Sequence, residues 1–112
     1  MALYARLLGI DTFNPKIPIH GFQALAGLWA KGTITAAQAR AGIAAISGAA
    51  LTTAEETEVL TLVNSVPTGS TAANQAARAL RLVHIDQCLL MADQRIPPLD
   101  TEAGLKTAIG GV

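Results

Sequence analysis

The chain has 112 residues, of which 51% are hydrophobic and only 14% charged, with eight basic residues balancing eight acidic ones. This length sets an expectation of one domain spanning residues 1–112, and the apolar, weakly charged composition excludes a disordered chain. A formal net charge of zero and a pI near 6.7 lack the basic excess of a dedicated nucleic-acid binder.

A mean hydropathy of +0.40 raises the question of a membrane, and a spanning helix needs about 20 consecutive apolar residues. The best stretch, residues 79–92, is interrupted by Arg81, His84, Asp86 and Gln87, and residues 41–51 contain Gly42, Ser47 and Gly48. The opening MALYARLLGID has neither the long apolar core nor the small-residue cleavage site of a signal peptide. One cysteine, Cys88, cannot form an intramolecular disulfide. A soluble protein made in the cytoplasm is expected, with no membrane partner. Its apolar excess then needs another destination, and contact with other subunits is the physically plausible one.

Ala dominates, with Gly, Thr and Leu behind it, and alternating β-branched runs are absent. Ala and Leu are the strongest helix formers, so an all-α fold is expected: a compact bundle of five or six helices with an extended N-terminal segment. A short first helix covers about residues 2–8 and stops at Gly9. Residues 9–18 follow as an extended segment, because Pro15 and Pro18 remove backbone donors and disfavour helix before them. A second helix over about 19–30 carries Phe22, Leu25, Ala26 and Trp29 at i, i+3, i+4 and i+7, a single apolar stripe.

Two capping boxes come next. Thr35 with Gln38 opens a helix to about Ser47, presenting Ala39, Gly42, Ile43 and Ile46; Gly48 closes it. Thr52 with Glu55, or Thr53 with Glu56, opens a helix whose buried face is Val59, Leu60, Leu62, Val63 and Val66, ending before Pro67. The longest helix runs from about Thr71 to Gln94, roughly 36 Å. Its Ala-rich first half permits close approach of another helix; its second half is apolar on more than one face, as in a core helix or one held between subunits. Asp100 is placed to cap a last helix reaching about Ile109.

Few residues carry candidate chemistry. His84 and Cys88 share a helix face at i,i+4, but a structural zinc site needs four ligands and a nucleophile–base pair needs an orienting third group. The expected role of Cys88 is that of a small core hydrophobe beside a hydrogen-bonded His; a small enzyme using Cys88 and His84 is the rival. No GxxxxGK[ST] or GxGxxG occurs. No catalytic residue, metal, cofactor or small-molecule substrate is expected. Residues 36–66 could form a helix-turn-helix, making a small DNA-binding regulator the alternative reading. Its second helix begins with Glu55, Glu56 and Glu58, expected as a solvated acidic face that repels phosphates.

The aromatics are Tyr4, Phe13, Phe22 and Trp29. The extended segment has little reason to form a core of its own, so residues 9–18 are expected to dock on a partner. The expected partner-binding residues are Phe13, Ile17, Ile19, His20, Phe22 and Trp29, aromatic anchors being favoured at interfaces. Removing residues 1–20 should then leave helical content largely intact while abolishing assembly.

Four segments, LYARLLGID, KIPIHGF, LAGLWAKGTITAAQA and LTTAEETEVLTLV, cover roughly residues 3–66. In their pattern of helix starts and the KIPIHGF segment, this part of the chain resembles small proteins encoded among the structural genes of tailed bacteriophages. The resemblance carries no catalytic signature. It implies a non-enzymatic virion component, in head or tail, packing against other virion proteins and copies of itself without binding nucleic acid.

Overall fold

The apolar stripes and caps set the helix boundaries, and a computed structural model of the chain describes residues 2–64 and 69–110. Among these residues it contains six helices and no strand: α1 (Ala2–Leu8), α2 (Ile19–Ala30), α3 (Ala36–Ser47), α4 (Thr53–Asn64), α5 (Ala72–Asp93) and α6 (Glu102–Gly110). The all-α expectation holds. Each boundary has a local cause. Gly9 and Gly48 take positive φ after α1 and α3, where a side chain would strain the left-handed backbone. Thr35 forms a reciprocal box with Gln38, and Thr71 accepts from the Asn74 amide. The last helix departs from expectation: Thr101, not Asp100, accepts from the Gly104 amide and opens α6.

The stripe of α2 faces inward as its period requires, with Phe22, Ala26 and Trp29 buried and Leu25 packed against the core. In α3, Ala39 and Ile43 are buried while Ile46 is 40% exposed, which the spacing did not distinguish. Gly42 lets Leu25 of α2 lie where a Cβ would otherwise project, so α2 and α3 approach closely. Val59 and Leu62 of α4 are buried and Leu60 packs against them; the expected contributions of Val63 and Val66 lie outside the described side chains. α5 splits in two. Arg81, Ile85, Cys88, Leu89 and Ala92 are buried, whereas every residue from Ala72 to Leu80 is exposed or half-buried.

The N-terminal segment is not a free arm. Leu3, Leu7 and Leu8 of α1 are core residues, and Ile17 and Ile19 are buried beside them. Arg6 has no exposed surface. Its Nε donates to the Pro15 carbonyl at 2.9 Å, Nη1 to Glu55 Oε1 at 2.8 Å and the Ala50 carbonyl, and Nη2 to Ser47 Oγ and the Ala49 carbonyl. One side chain therefore joins α1, the proline segment, the end of α3 and the start of α4. Glu55 is equally buried, and its Oε1 also accepts from the Thr52 amide, so the second capping box and the ion pair share one carboxylate. The ion pair overturns two expectations. Residues 1–20 cannot be removed with the helices left intact, because they supply core side chains and the cation for a buried acid. The supposed acidic face of α4 turns inward at Glu55 and Glu58, while Glu56 binds Arg40 at 2.5 Å.

Removing one partner of a buried ion pair strands the other, which typically costs 3–5 kcal/mol. Arg6→Ala is therefore expected to lower the unfolding free energy by about 3–5 kcal/mol. Arg6→Met combined with Glu55→Leu is expected to recover part of that loss. Urea denaturation of the three proteins checks this; a loss below about 1 kcal/mol in the single variant would contradict it.

Candidate functional site

The six expected docking residues do not form one surface. Ile17, Ile19 and Phe22 are core side chains, at 0%, 2% and 0% exposure, and Trp29 is also buried. Apolar side chains next to a hydrophobic core gain more by folding onto it than by waiting for a partner, so the proline segment lies along its own bundle. Two of the six remain outside. The His20 side chain stands exposed at the start of α2, with Nε2 3.6 Å from Asp93 Oδ2 of α5, a carboxylate that sequence proximity did not reveal. Phe13 is 94% exposed.

The backbone at Phe13 is held in a turn by Asp11. Its amide donates to Asp11 Oδ1 at 2.8 Å, and Asn14 Nδ2 donates to Asp11 Oδ2 at 2.9 Å. These bonds to its charged form hold the Asp11 carboxyl below its usual range, the Asn14 side chain contributing most. Behind the loop, Arg95 donates to the Leu8 carbonyl, Arg6 to Pro15, and the Ile17 amide to the Arg6 carbonyl. A large apolar ring is thus held in water on a braced loop, with Ile10, also exposed, nearby in sequence.

The second apolar surface lies on α5, where Leu80 is 74% and Val83 53% exposed, with exposed Ala73, Ala76, Ala77 and Gln87 on the same side. The sequence indicated this surface only as a helix apolar on more than one face.

The buried chemistry agrees with a structural role for Cys88 and His84. His84 Nε2 lies 2.8 Å from the Ala108 carbonyl, to which it donates, and Cys88 Sγ is 3.7 Å from the same nitrogen. Burial pushes the Cys88 thiol up, partly opposed by Arg81, so the thiolate is disfavoured at neutral pH. Among the described residues no group of three or more His, Cys, Asp or Glu is placed to hold a metal ion. No described helix is long and apolar enough to cross a membrane.

A cleft of about 770 Å³ opens between α1, α4, α5 and α6, lined by Tyr4, Thr57, Glu58, Thr61, Arg81 and Lys106 among others. Sequence reasoning missed it, because Glu58 was read as part of a solvated acidic face and Arg81 only as a break in an apolar stretch. Each lies one helical turn from a core residue, Glu58 from Leu62 and Arg81 from Ile85, and that spacing was the available signal. Arg81 donates to the Ile109 carbonyl at the end of α6. Among the described residues Glu58 Oε2 is buried without a hydrogen-bond partner. Burial raises the Glu58 carboxyl, with Lys106 among the charges offsetting it, and burial followed by the Glu58 charge raises the Tyr4 phenol. The Thr57 and Thr61 hydroxyls donate to their own helix, at the Thr53 and Thr57 carbonyls. The cleft sets an acid, a phenol and a guanidinium together.

Comparison with protein-family models, with curated proteins and with solved structures finds no match.

Two outcomes follow from the buried groups. Because the Glu58 carboxyl is raised, the folded chain keeps its proton to higher pH than the unfolded chain, whose value is near 4.5. Stability from this group therefore falls as pH rises through that window. Glu58→Gln is expected to raise Tm by a few degrees at neutral pH, with the gain vanishing toward about pH 4 in thermal melts. Cys88 is expected to react with a thiol reagent at neutral pH at least about 10-fold more slowly in the folded than in the urea-unfolded chain; equal rates would contradict the buried-thiol assignment.

Proposed function

We propose that this chain is a non-enzymatic structural component of a tailed-phage particle, acting by protein–protein packing against other virion proteins and copies of itself. The observation that carries the reading is Phe13, a 94% exposed ring on a loop braced by Asp11, Asn14 and Arg95. An exposed aromatic on a hydrogen-bonded turn orders little backbone on docking, and exposed aromatics anchor interfaces. The resemblance of residues 3–66 to small phage structural proteins supports the choice of assembly, and the zero net charge lets many copies accumulate side by side with little repulsion. Phe13 replaces the broader docking segment: it and His20 are the members of the expected set whose side chains face solvent.

No observation favours the DNA-binding regulator. In that reading α4 would enter the groove, yet it carries no Lys or Arg, and Glu56 already binds Arg40.

Phe13→Ala removes a ring that touches little of its own chain, so its effect on stability is expected to stay within about 0.5 kcal/mol. Its incorporation into purified phage particles, followed by immunoblot against the wild-type chain, is expected to fall at least about 10-fold. Absence of the wild-type chain from particles, or equal incorporation of the variant, would overturn this function or this anchor respectively.

A further inference from the structure

The cleft between α1, α4, α5 and α6 has one wall that only accepts hydrogen bonds. On α4, Thr57, Glu58 and Thr61 stand at three- and four-residue spacing, so they share a helix face. The two threonine hydroxyls have given their single protons to the Thr53 and Thr57 carbonyls, which leaves them only lone pairs to offer. Glu58 is 9% exposed and lines the cleft. Among the described residues it makes no ion pair, and its Oε2 has no hydrogen-bond partner. The terminal torsion of a Glu side chain is broad and two-fold, so either carboxylate oxygen turns readily to the cleft. A nearly buried acid without a counter-ion is a costly thing to keep.

The α6 wall is of the other sign. Lys106 lines it and is exposed; its charge acts on Glu58, yet among the described residues the two form no ion pair. α1 packs against both α4 and α6, so Tyr4 lies between the two walls, and with Leu62 it gives the cleft an apolar lining. At about 770 Å³ the cleft falls within the size range of small-molecule sites.

We propose that this cleft binds a small zwitterion, its ammonium group on Glu58 and the α4 threonines, its apolar body along Tyr4 and Leu62, and its carboxylate at Lys106. The site is argued from the cleft alone and does not rest on the phage-particle reading.

Both charges of the ligand have a reason. An ammonium brings three donors to a wall that has only acceptors, and it supplies the counter-charge that the buried carboxylate lacks. A neutral ligand leaves that carboxylate uncompensated. A simple cation meets Lys106 and Arg81 of like sign, and a simple anion meets Glu58. The remaining charges that act on Glu58 are of both signs, the amino terminus against Glu55 and Glu102, and Glu55 is itself paired with Arg6. Arg81 donates to the Ile109 carbonyl and so serves the end of α6, which leaves Lys106 as the group that meets the carboxylate.

A nuclear magnetic resonance titration of the isotope-labelled full-length chain tests the site with three probes of one carbon skeleton, 6-aminohexanoate, hexylamine and hexanoate. 6-Aminohexanoate is expected to give saturable shifts at the amides of Thr57, Glu58, Thr61 and Lys106, with a dissociation constant of about 1 mM or below. It is expected to bind about 5-fold tighter than hexylamine or hexanoate. Glu58→Gln, the variant expected to melt higher than the wild type at neutral pH, should weaken 6-aminohexanoate at least about 10-fold, a loss of binding that is then not a loss of fold. Lys106→Gln, at an exposed position, should erase the difference between 6-aminohexanoate and hexylamine. No saturable shift with 6-aminohexanoate at about 50 mM, or unchanged affinity in Glu58→Gln, overturns the site. Equal affinity of the wild type for 6-aminohexanoate and hexylamine overturns the zwitterion as its ligand. None of these results bears on whether the chain enters phage particles, which the Phe13 experiment decides.

Discussion

Arg6 holds a permanent positive charge where no water reaches it, and the rest of the bundle is arranged to make that tolerable. A guanidinium has five donors in a fixed planar fork, and here Pro15, Ser47, Ala49, Ala50 and Glu55 supply acceptors around it. Those acceptors come from parts of the chain up to 49 positions away. The ion pair is a poor source of net stability, since desolvation offsets much of the attraction. What it supplies is specificity. Hydrophobic burial alone would let α1 slide or rotate against α4, whereas a planar fork with five directed bonds accepts one placement. With α1 set, its Leu3, Leu7 and Leu8 close the core from one side, and the proline segment is drawn in through Pro15 and Ile17.

That placement explains why the outer surface has the form it does. Because residues 15–19 are held down by Arg6 and by burial of Ile17 and Ile19, the preceding loop turns outward and Phe13 stands at its crest. Arg95, from just beyond α5, reaches the Leu8 carbonyl and braces the same loop from the far end of the chain. The α5 helix likewise divides at Arg81: on its C-terminal side it packs on α2 and α6, and on its N-terminal side it leaves the core. Two apolar surfaces of different kinds result, an anchored aromatic and a long charge-free helix face.

The helix pattern was legible in the sequence to within a residue or two, since Gly9, Thr35 with Gln38, Gly48 and Thr71 act through bonds and torsions reaching no further than the next turn. The assignment of faces was legible only where polarity was unambiguous, as for Phe22, Ala26 and Ile43. It failed for Glu55 and Glu58, because a charged side chain reads as solvated unless its partner is known, and the partner of Glu55, Arg6, lies in another helix. The candidate site suffered in the same way. Ile17 and Ile19 flank Pro18, equally suited to a partner's pocket or to their own core, and nothing local separates those outcomes.

By itself, then, the sequence determined an all-α chain, its caps and breaks, and a composition too apolar and too weakly charged to leave its surface wholly inert. These are matters of local backbone torsion, short-range hydrogen bonding and total apolar content, each independent of what lies across the fold. Only the tertiary structure decided that the N-terminal segment belongs to the core, that two acids of α4 face inward, and that Phe13 and the Leu80 side of α5 remain outside. Those outcomes depend on which distant groups meet, as Arg6 meets Glu55 and Pro15 to draw α1 and the proline segment onto α4.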